Sequence, residues 1–152
     1  MKKLILIGIL LLTGCTITSE ETYISKKINL NLDNCKIENS KDTHGGFLGD
    51  GTYFAKITCE KLDQKIYNWE KLPLKEDIKE ALDLVICDEN DCKNVFERYN
   101  IPEINEGFYY FLDRNQKANE ENDPGLNNRA SYNYSIAIFD NNKTIYFYEL
   151  DT

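Results

Sequence analysis

The chain has 152 residues, of which 41% are hydrophobic and 29% are charged, and its formal net charge at pH 7 is −8. This length suffices for one domain, and the hydrophobic content is too high for a disordered chain. Because the excess charge is acidic, nucleic-acid phosphates are repelled, and we expect no nucleic-acid binding. The single histidine excludes sites that need two or three imidazoles. No motif predicts a metal or a cofactor, and we expect neither.

The first residues have the layout of a secretory signal. Lys2 and Lys3 precede the apolar run LILIGILLL, which is too short to span a bilayer, and the tetrapeptide LTGC follows. This ending resembles the bacterial lipobox. The resemblance implies that residues 1–14 are a lipoprotein signal peptide and that Cys15 is lipidated, anchoring the chain at the extracytoplasmic face of the cell membrane. The alternative is an ordinary signal peptide with an incidental cysteine.

The segment after the signal is polar and has no clear periodicity. We therefore expect the lipidated cysteine and a polar tether over 15–26, followed by a single α+β domain over 27–152. Residues 27–33 alternate weakly and fit either a first edge strand or a continuation of the tether.

Two alternating segments around a glycine-rich tip predict a β-hairpin over residues 35–59. Antiparallel pairing places Ile37 opposite Ile57 and Cys35 opposite Cys59, with the apolar side chains on one face. The tip DTHGGFLGDG contains four glycines, which supply the backbone angles that a reversal needs.

Four cysteines follow Cys15 in the sequence: Cys35, Cys59, Cys87 and Cys92. An even number in an exported chain predicts disulfides, and four cysteines allow three connectivities. The hairpin register favours Cys35–Cys59, and proximity favours Cys87–Cys92. The alternative is four reduced thiols that behave as small hydrophobic side chains.

Two segments after this hairpin have the apolar spacing of helices. They cover 60–70 and 75–86, and Pro73 separates them because proline ends a helix at the preceding residue. The acidic segment CDENDC follows and predicts a solvated loop. Asp91 in this loop is placed to cap a short helix over 93–99.

The last third of the chain predicts mostly strands. Residues 107–114 are aromatic and β-prone, 115–129 form a long polar loop, and a second hairpin joins 132–139 to 144–150. A two-residue turn at Asn141-Asn142 pairs Ile138 with Ile145, and both faces of this hairpin are apolar, so we expect both to be covered. The fold class is α+β, with an antiparallel sheet of four to five strands and two main helices inserted between two hairpins.

The tip of the first hairpin is the candidate ligand loop, comprising Asp42, His44, Gly45, Gly46 and Asp50. A histidine between carboxylates suits a general base or a ligand contact, and glycines let the backbone approach a ligand closely. No serine, cysteine or lysine adjoins His44 in the sequence, so we assign no catalytic residue. The alternative is a simple reversal in which His44 bonds its own backbone.

Five segments of the chain are similar to a known family: DTHGGFLGDGTYFAKI, NWEKLPLKEDI, FYYFLDR, YSIAIFD and IYFYELDT. From about residue 42 onward the chain resembles a family of small uncharacterised lipoproteins from low-GC Gram-positive bacteria, with HGGFLGDG as the motif. This resemblance implies an extracytoplasmic location and one domain. It implies no activity, ligand or catalytic residue.

Three functions remain open. We expect a non-enzymatic lipoprotein that binds a protein or small molecule through the tip and the 115–129 loop, because loops on a rigid sheet often carry recognition. The first alternative is a hydrolytic or metal-dependent enzyme centred on His44, Asp42 and Asp50. The second is a protective or inhibitory protein against an exported toxin or wall enzyme, in which the acidic surface meets a basic partner.

Overall fold

A computed structural model describes residues 19–45, 49–84, 86–88, 91–115 and 125–152. The predicted signal peptide, Cys15, Gly46 and most of the predicted 115–129 loop lie outside the described residues. No helix in the described ranges has the length and apolarity to cross a membrane.

The main sheet has six antiparallel strands and confirms the predicted α+β class, with one strand more than expected. Its strands are β1 (Cys35–Asp42), β2 (Gly51–Cys59), β3 (Glu70–Lys71), β6 (Gly107–Asp113), β7 (Asn133–Asp140) and β8 (Thr144–Asp151). They lie in the order β1-β2-β8-β7-β6-β3. A separate two-stranded ladder contains β4 (Ile86–Asp88) and β5 (Asp91–Lys93).

Helices and loops cover both faces of this sheet. The helices are α1 (Glu20–Ile28), α2 (Glu76–Asp83) and α3 (Val95–Tyr99). Apolar side chains of α1 pack with one face of the central strands, and those of α2 and α3 pack with the other. The second hairpin, β7–β8, is central, and it is buried on both faces as its sequence predicts.

The register of the first hairpin is as predicted. Cys35 pairs with Cys59 and Ile37 with Ile57, before a bulge that lies between Ile37 and Asn39. A disulfide joins Cys35 to Cys59 in the structure.

The register predicted for the second hairpin is wrong by one residue. Ile138 pairs with Tyr146, and Phe139 pairs with Ile145. The reason is the turn, which takes three residues because Lys143 adopts a left-handed φ of 66°. A three-residue loop that ends in a left-handed residue is a common hairpin connection.

The predicted polar tether over 15–26 is wrong from residue 20 onward, where α1 begins. The Ser19 side chain accepts a hydrogen bond from the Thr22 amide and caps the helix. Ile24 and Ile28, four residues apart, are fully buried against the sheet. Two apolar residues give little periodicity, but a short helix becomes stable when tertiary packing supplies the partner surface.

Two further predictions about the middle of the chain need correction. The helix predicted over 60–70 is a short 3-10 helix, Gln64–Asn68, and after Trp69 the chain enters β3. The acidic segment predicted as a loop forms the β4–β5 ladder, in which Cys87 pairs with Cys92. Cys92 is disulfide-bonded.

The two helices predicted after Pro73 are present, but with different ends. The helix predicted over 75–86 is α2, which ends at Asp83. The next helix, α3, is capped by Asn94, whose Oδ1 accepts the Glu97 amide at 2.9 Å, and not by Asp91. Asp91 instead begins β5.

Candidate functional site

The tip of the first hairpin holds His44 through its neighbour Asp42. The Asp42 Oδ1 atom accepts the His44 backbone N–H at 2.9 Å and lies 2.7 Å from ring Nδ1. On the returning strand, Gly51 leaves the space that His44 occupies, because a Cβ there would lie 2.5 Å from the His44 Cα. The local sequence therefore fixes both the backbone and the ring of His44.

The second carboxylate at the imidazole is Asp151, so the prediction of Asp50 for this role is wrong. Asp151 Oδ2 lies 3.2 Å from His44 Nε2. Pairing of β2 with β8 places Gly51 opposite Asp151, which brings the end of the chain beneath the tip. Asp50 contributes its backbone carbonyl, which accepts the Gly45 N–H at 3.4 Å.

Beyond Asp151, a network of charged groups runs into the protein. Arg114 Nη2 lies 2.8 Å from Asp151 Oδ1 and 2.9 Å from Glu149 Oε1. Lys27 Nζ contacts the same Glu149 oxygen at 2.9 Å, and the Tyr23 hydroxyl donates to Oε2 at 2.8 Å. The Glu149 side chain is only 1% exposed. The network thus connects the hairpin tip, the sheet and α1.

Sequence reasoning missed Glu149, Asp151 and Arg114, although one signal was present. Alternation along β8 places Ile145, Phe147 and Glu149 on one buried face of the strand. A carboxylate at a buried position needs a partner of opposite charge. Glu149 at this position therefore predicts a buried ion pair, but alternation cannot say which cation supplies it.

A cavity of about 380 Å³ opens beside the imidazole, and we call it the His44 pocket. Its lining residues are Glu20, Tyr23, Asp42, His44, Tyr53 and Asp151. The rings of Tyr23 and Tyr53 meet edge to face, with their centroids 5.8 Å apart.

Tyr53 is the one buried residue of this set, with 6% of its surface exposed. Its hydroxyl oxygen is buried and meets no hydrogen-bond partner in the described part of the chain. Burial, followed by the negative charges of Glu20 and Asp42, raises the pKa of Tyr53 to about 12. The hydroxyl is therefore neutral at physiological pH.

The hydrogen bonds of His44 limit the chemistry available at this site. The imidazole places one ring nitrogen against each of two carboxylates, Nδ1 against Asp42 and Nε2 against Asp151. The contacts of the ring within the described ranges are carboxylates, and none is a hydroxyl or a thiol. The described residues also contain no group of three or more His, Cys, Asp or Glu placed to hold a metal.

A second cavity, of about 400 Å³, lies on the opposite face of the sheet. Its apolar lining includes Leu72, Leu74, Phe96, Ile101, Ile104 and Ile138. Lys79, Asp83 and Glu103 also line this cavity, but most of its lining is apolar. In the His44 pocket most of the lining side chains are polar or charged, and a histidine lies between two carboxylates, so it is the better candidate site.

The chain matches no family model, no curated protein and no solved structure. Function is therefore inferred from the geometry of this chain's own residues.

Proposed function

We propose that this chain is a lipid-anchored protein of the extracytoplasmic face of a bacterial membrane, and that it binds a partner without catalysing a reaction. The LTGC sequence at Cys15 supports the anchor. Two acyl chains attach a protein durably, whereas one chain alone is marginal. Acidic residues outnumber basic ones by 26 to 18, so anionic lipid heads repel the body of the protein. Contact with the membrane is therefore made by the lipid.

The observation that carries the binding proposal is the pair of carboxylates on the His44 ring. A general base needs a ring nitrogen within reach of a substrate or nucleophile. In His44, Nδ1 is taken by Asp42 and Nε2 by Asp151. The imidazole therefore serves as a cross-link between the hairpin tip and β8, and the pocket beside it serves as a binding surface.

The sign of the charge around the His44 pocket favours a basic partner. The carboxylates of Glu20, Asp42 and Asp151 line the cavity, and Arg114 contacts one of them, Asp151. A cationic partner is attracted to such a surface and loses affinity as salt screens the charges. The same observation favours the second candidate, protection against an exported toxin or wall enzyme that has a basic surface.

The binding proposal is tested with the full chain, expressed in a Gram-positive host and reconstituted into phosphatidylcholine vesicles, which carry no net charge of their own. Polyarginine is the probe, and co-sedimentation at low ionic strength is the measurement. We expect protein-bearing vesicles to retain several times more polyarginine than empty vesicles. Asp42→Asn should reduce this retention, whereas Glu106→Gln, which removes an exposed charge elsewhere, should not. Equal retention by empty and protein-bearing vesicles would refute the binding function.

The anchor is tested separately by fractionating cells that express Cys15→Ser. This substitution removes the thiol to which a lipid attaches, so the protein should leave the membrane fraction or keep residues 1–14. A Cys15→Ala variant should behave in the same way. Processed Cys15→Ser protein that stays in the membrane fraction would overturn the proposed anchor.

A further inference from the structure

Two polar groups in the His44 pocket have unused hydrogen-bonding capacity. The Tyr53 hydroxyl is buried without a partner in the described part of the chain. The Asp42 side chain, which is 59% exposed, receives both contacts from His44 at Oδ1, and no contact at Oδ2 is seen within the described residues. A buried polar group without a partner costs free energy, and a ligand that satisfies it recovers that cost. The pocket is therefore incomplete in the free protein, and this observation is independent of its acidic charge.

Ser40 interacts with Tyr53 and lowers its pKa somewhat, but Ser40 does not complete the pocket. The Ser40 hydroxyl donates to both oxygens of Glu20, at 3.1 and 3.2 Å. Its single proton is thus committed to Glu20, and the Tyr53 hydroxyl has no partner within hydrogen-bond geometry among the described residues. A ligand that completes the pocket therefore supplies N–H donors to the Asp42 carboxylate and a hydrogen-bond partner to the Tyr53 hydroxyl.

The aromatic side chains of the pocket favour a cationic ligand. Tyr23 and Tyr53 present ring surface to the cavity, and a ring face attracts a cation. Lys27 Nζ already lies 5.2 Å from the centroid of the Tyr23 ring, so this part of the protein accommodates a cation on an aromatic face. A guanidinium group is planar, stacks on aromatic rings and offers five N–H donors in a fixed fork, whereas an ammonium is a compact point charge.

We infer that the His44 pocket binds the guanidinium group of an arginine side chain on a partner, with Asp42 Oδ2 and the Tyr53 hydroxyl oxygen as its acceptors. This inference rests on the proposed binding function and names the ligand class for it. In this arrangement the Tyr53 hydroxyl determines the preference for arginine over lysine. It adds a second acceptor beside Asp42, which favours a ligand that carries several donors in one plane.

The test is an NMR titration of the full chain in detergent micelles with three small probes, followed through the backbone amides of the hairpin tip. The probes are N-acetyl-arginine amide, N-acetyl-lysine amide and N-acetyl-citrulline amide, which is the neutral isostere of arginine. We expect the citrulline probe to bind at least tenfold more weakly than the arginine probe, because its carbonyl removes the charge and two donors. The lysine probe should fall between the two.

Tyr53→Phe is the decisive variant, since it removes only the hydroxyl from a ring that stays packed. It should weaken binding of the arginine probe by about tenfold or more, the loss of one hydrogen bond from a charged donor. It should leave binding of the lysine probe nearly unchanged. Tyr67→Phe, which removes an exposed hydroxyl elsewhere, is the matched control and should alter neither.

Three outcomes would overturn the inference: equal binding of arginine and citrulline probes, equal binding of arginine and lysine probes, or an unaltered affinity for arginine in Tyr53→Phe. These failures are distinct from failure of the proposed function. If vesicles carrying the protein still retain polyarginine, the binding function stands and the guanidinium assignment alone is wrong. If they do not retain it, the proposed function itself fails.

Discussion

Glu149 has three hydrogen-bonding or ionic partners and almost no contact with water. Lys27, Arg114 and the Tyr23 hydroxyl all reach its carboxylate, whose side chain is 1% exposed. Removing a carboxylate from water is costly, and several charge-assisted hydrogen bonds are needed to offset that cost. One residue thus holds together α1, the end of β6 and β8. The same residue keeps Arg114 in place to contact Asp151 beside the His44 pocket.

We expect Glu149→Ala to lower the free energy of unfolding by about 3–5 kcal/mol. The substitution leaves Lys27 and Arg114 facing each other with no negative group between them, and breaking a buried pair at one partner has this cost. Urea unfolding followed by circular dichroism measures it. Glu38→Ala is the control, because the Glu38–Lys56 pair is exposed and should matter far less. Equal midpoints for both variants would contradict the central role of Glu149.

The helix α1 follows the proposed anchor segment in the sequence and packs against the sheet. Ile24 and Ile28 bury its inner side against the sheet, while Glu20 and Tyr23 line the His44 pocket. Acidic residues in its first turn and lysines in its last turn suit the helix dipole. The element is therefore part of the domain and part of the candidate site, although its polar surface makes it resemble a linker in the sequence.

If α1 is an integral element, Ile24→Ala should destabilise the protein by about 2–4 kcal/mol, because truncation of a buried isoleucine leaves a cavity. Lys26→Ala, on the exposed side of the same helix, should change stability little. Thermal unfolding of both variants beside the wild type provides the measurement. A thermal midpoint for Ile24→Ala that equals that of Lys26→Ala would show that residues 20–28 act as a tether.

At the scale of the whole molecule, local sequence patterns predict those features of the fold that residues close in the sequence determine. The α+β class and the Cys35–Cys59 register follow from alternation within short segments. The contact between His44 and Asp151 joins residues 107 positions apart, and it depends on β2 pairing with β8. No local pattern predicts that β8 pairs with β2. The sequence therefore favoured Asp50, which is nearer to His44 along the chain, and that prediction is wrong. Asp42 and His44 could be identified from sequence, whereas Tyr53 and Glu149 acquire their roles only through the assembled sheet.

A second property of the whole molecule is the burial of its tyrosines. Burial is the largest cause that raises the pKa of six of them above the ordinary value of 10.0: Tyr23, Tyr53, Tyr109, Tyr134, Tyr146 and Tyr148. In the unfolded chain these hydroxyls ionise near that ordinary value, so above it the unfolded state holds fewer protons than the folded state. Their contribution to stability is full below about pH 10 and is lost as pH rises through the folded pKa values.

We therefore expect the urea midpoint to fall steadily between pH 10 and pH 11.5. Urea titrations at fixed ionic strength measure this slope. Tyr148→Phe removes one such hydroxyl, which is buried without a partner in the described ranges, and should make the slope shallower. A midpoint that is constant or rises over this interval would contradict the expected effect of the buried tyrosines.

If Cys15 carries a lipid, the position of α1 between Cys15 and the Cys35–Cys59 disulfide has a mechanical consequence. If Cys15 holds the membrane, tension on the tether enters the body through α1, which is attached to the sheet by side chains such as Ile24 and Tyr23. The next element begins at Cys35, where a covalent bond to Cys59 resists extension. Tension applied at Cys15 would therefore detach α1 from the sheet before it extends the sheet itself. Because α1 supplies Glu20 and Tyr23 to the His44 pocket, the same pull dismantles the pocket and releases whatever it holds.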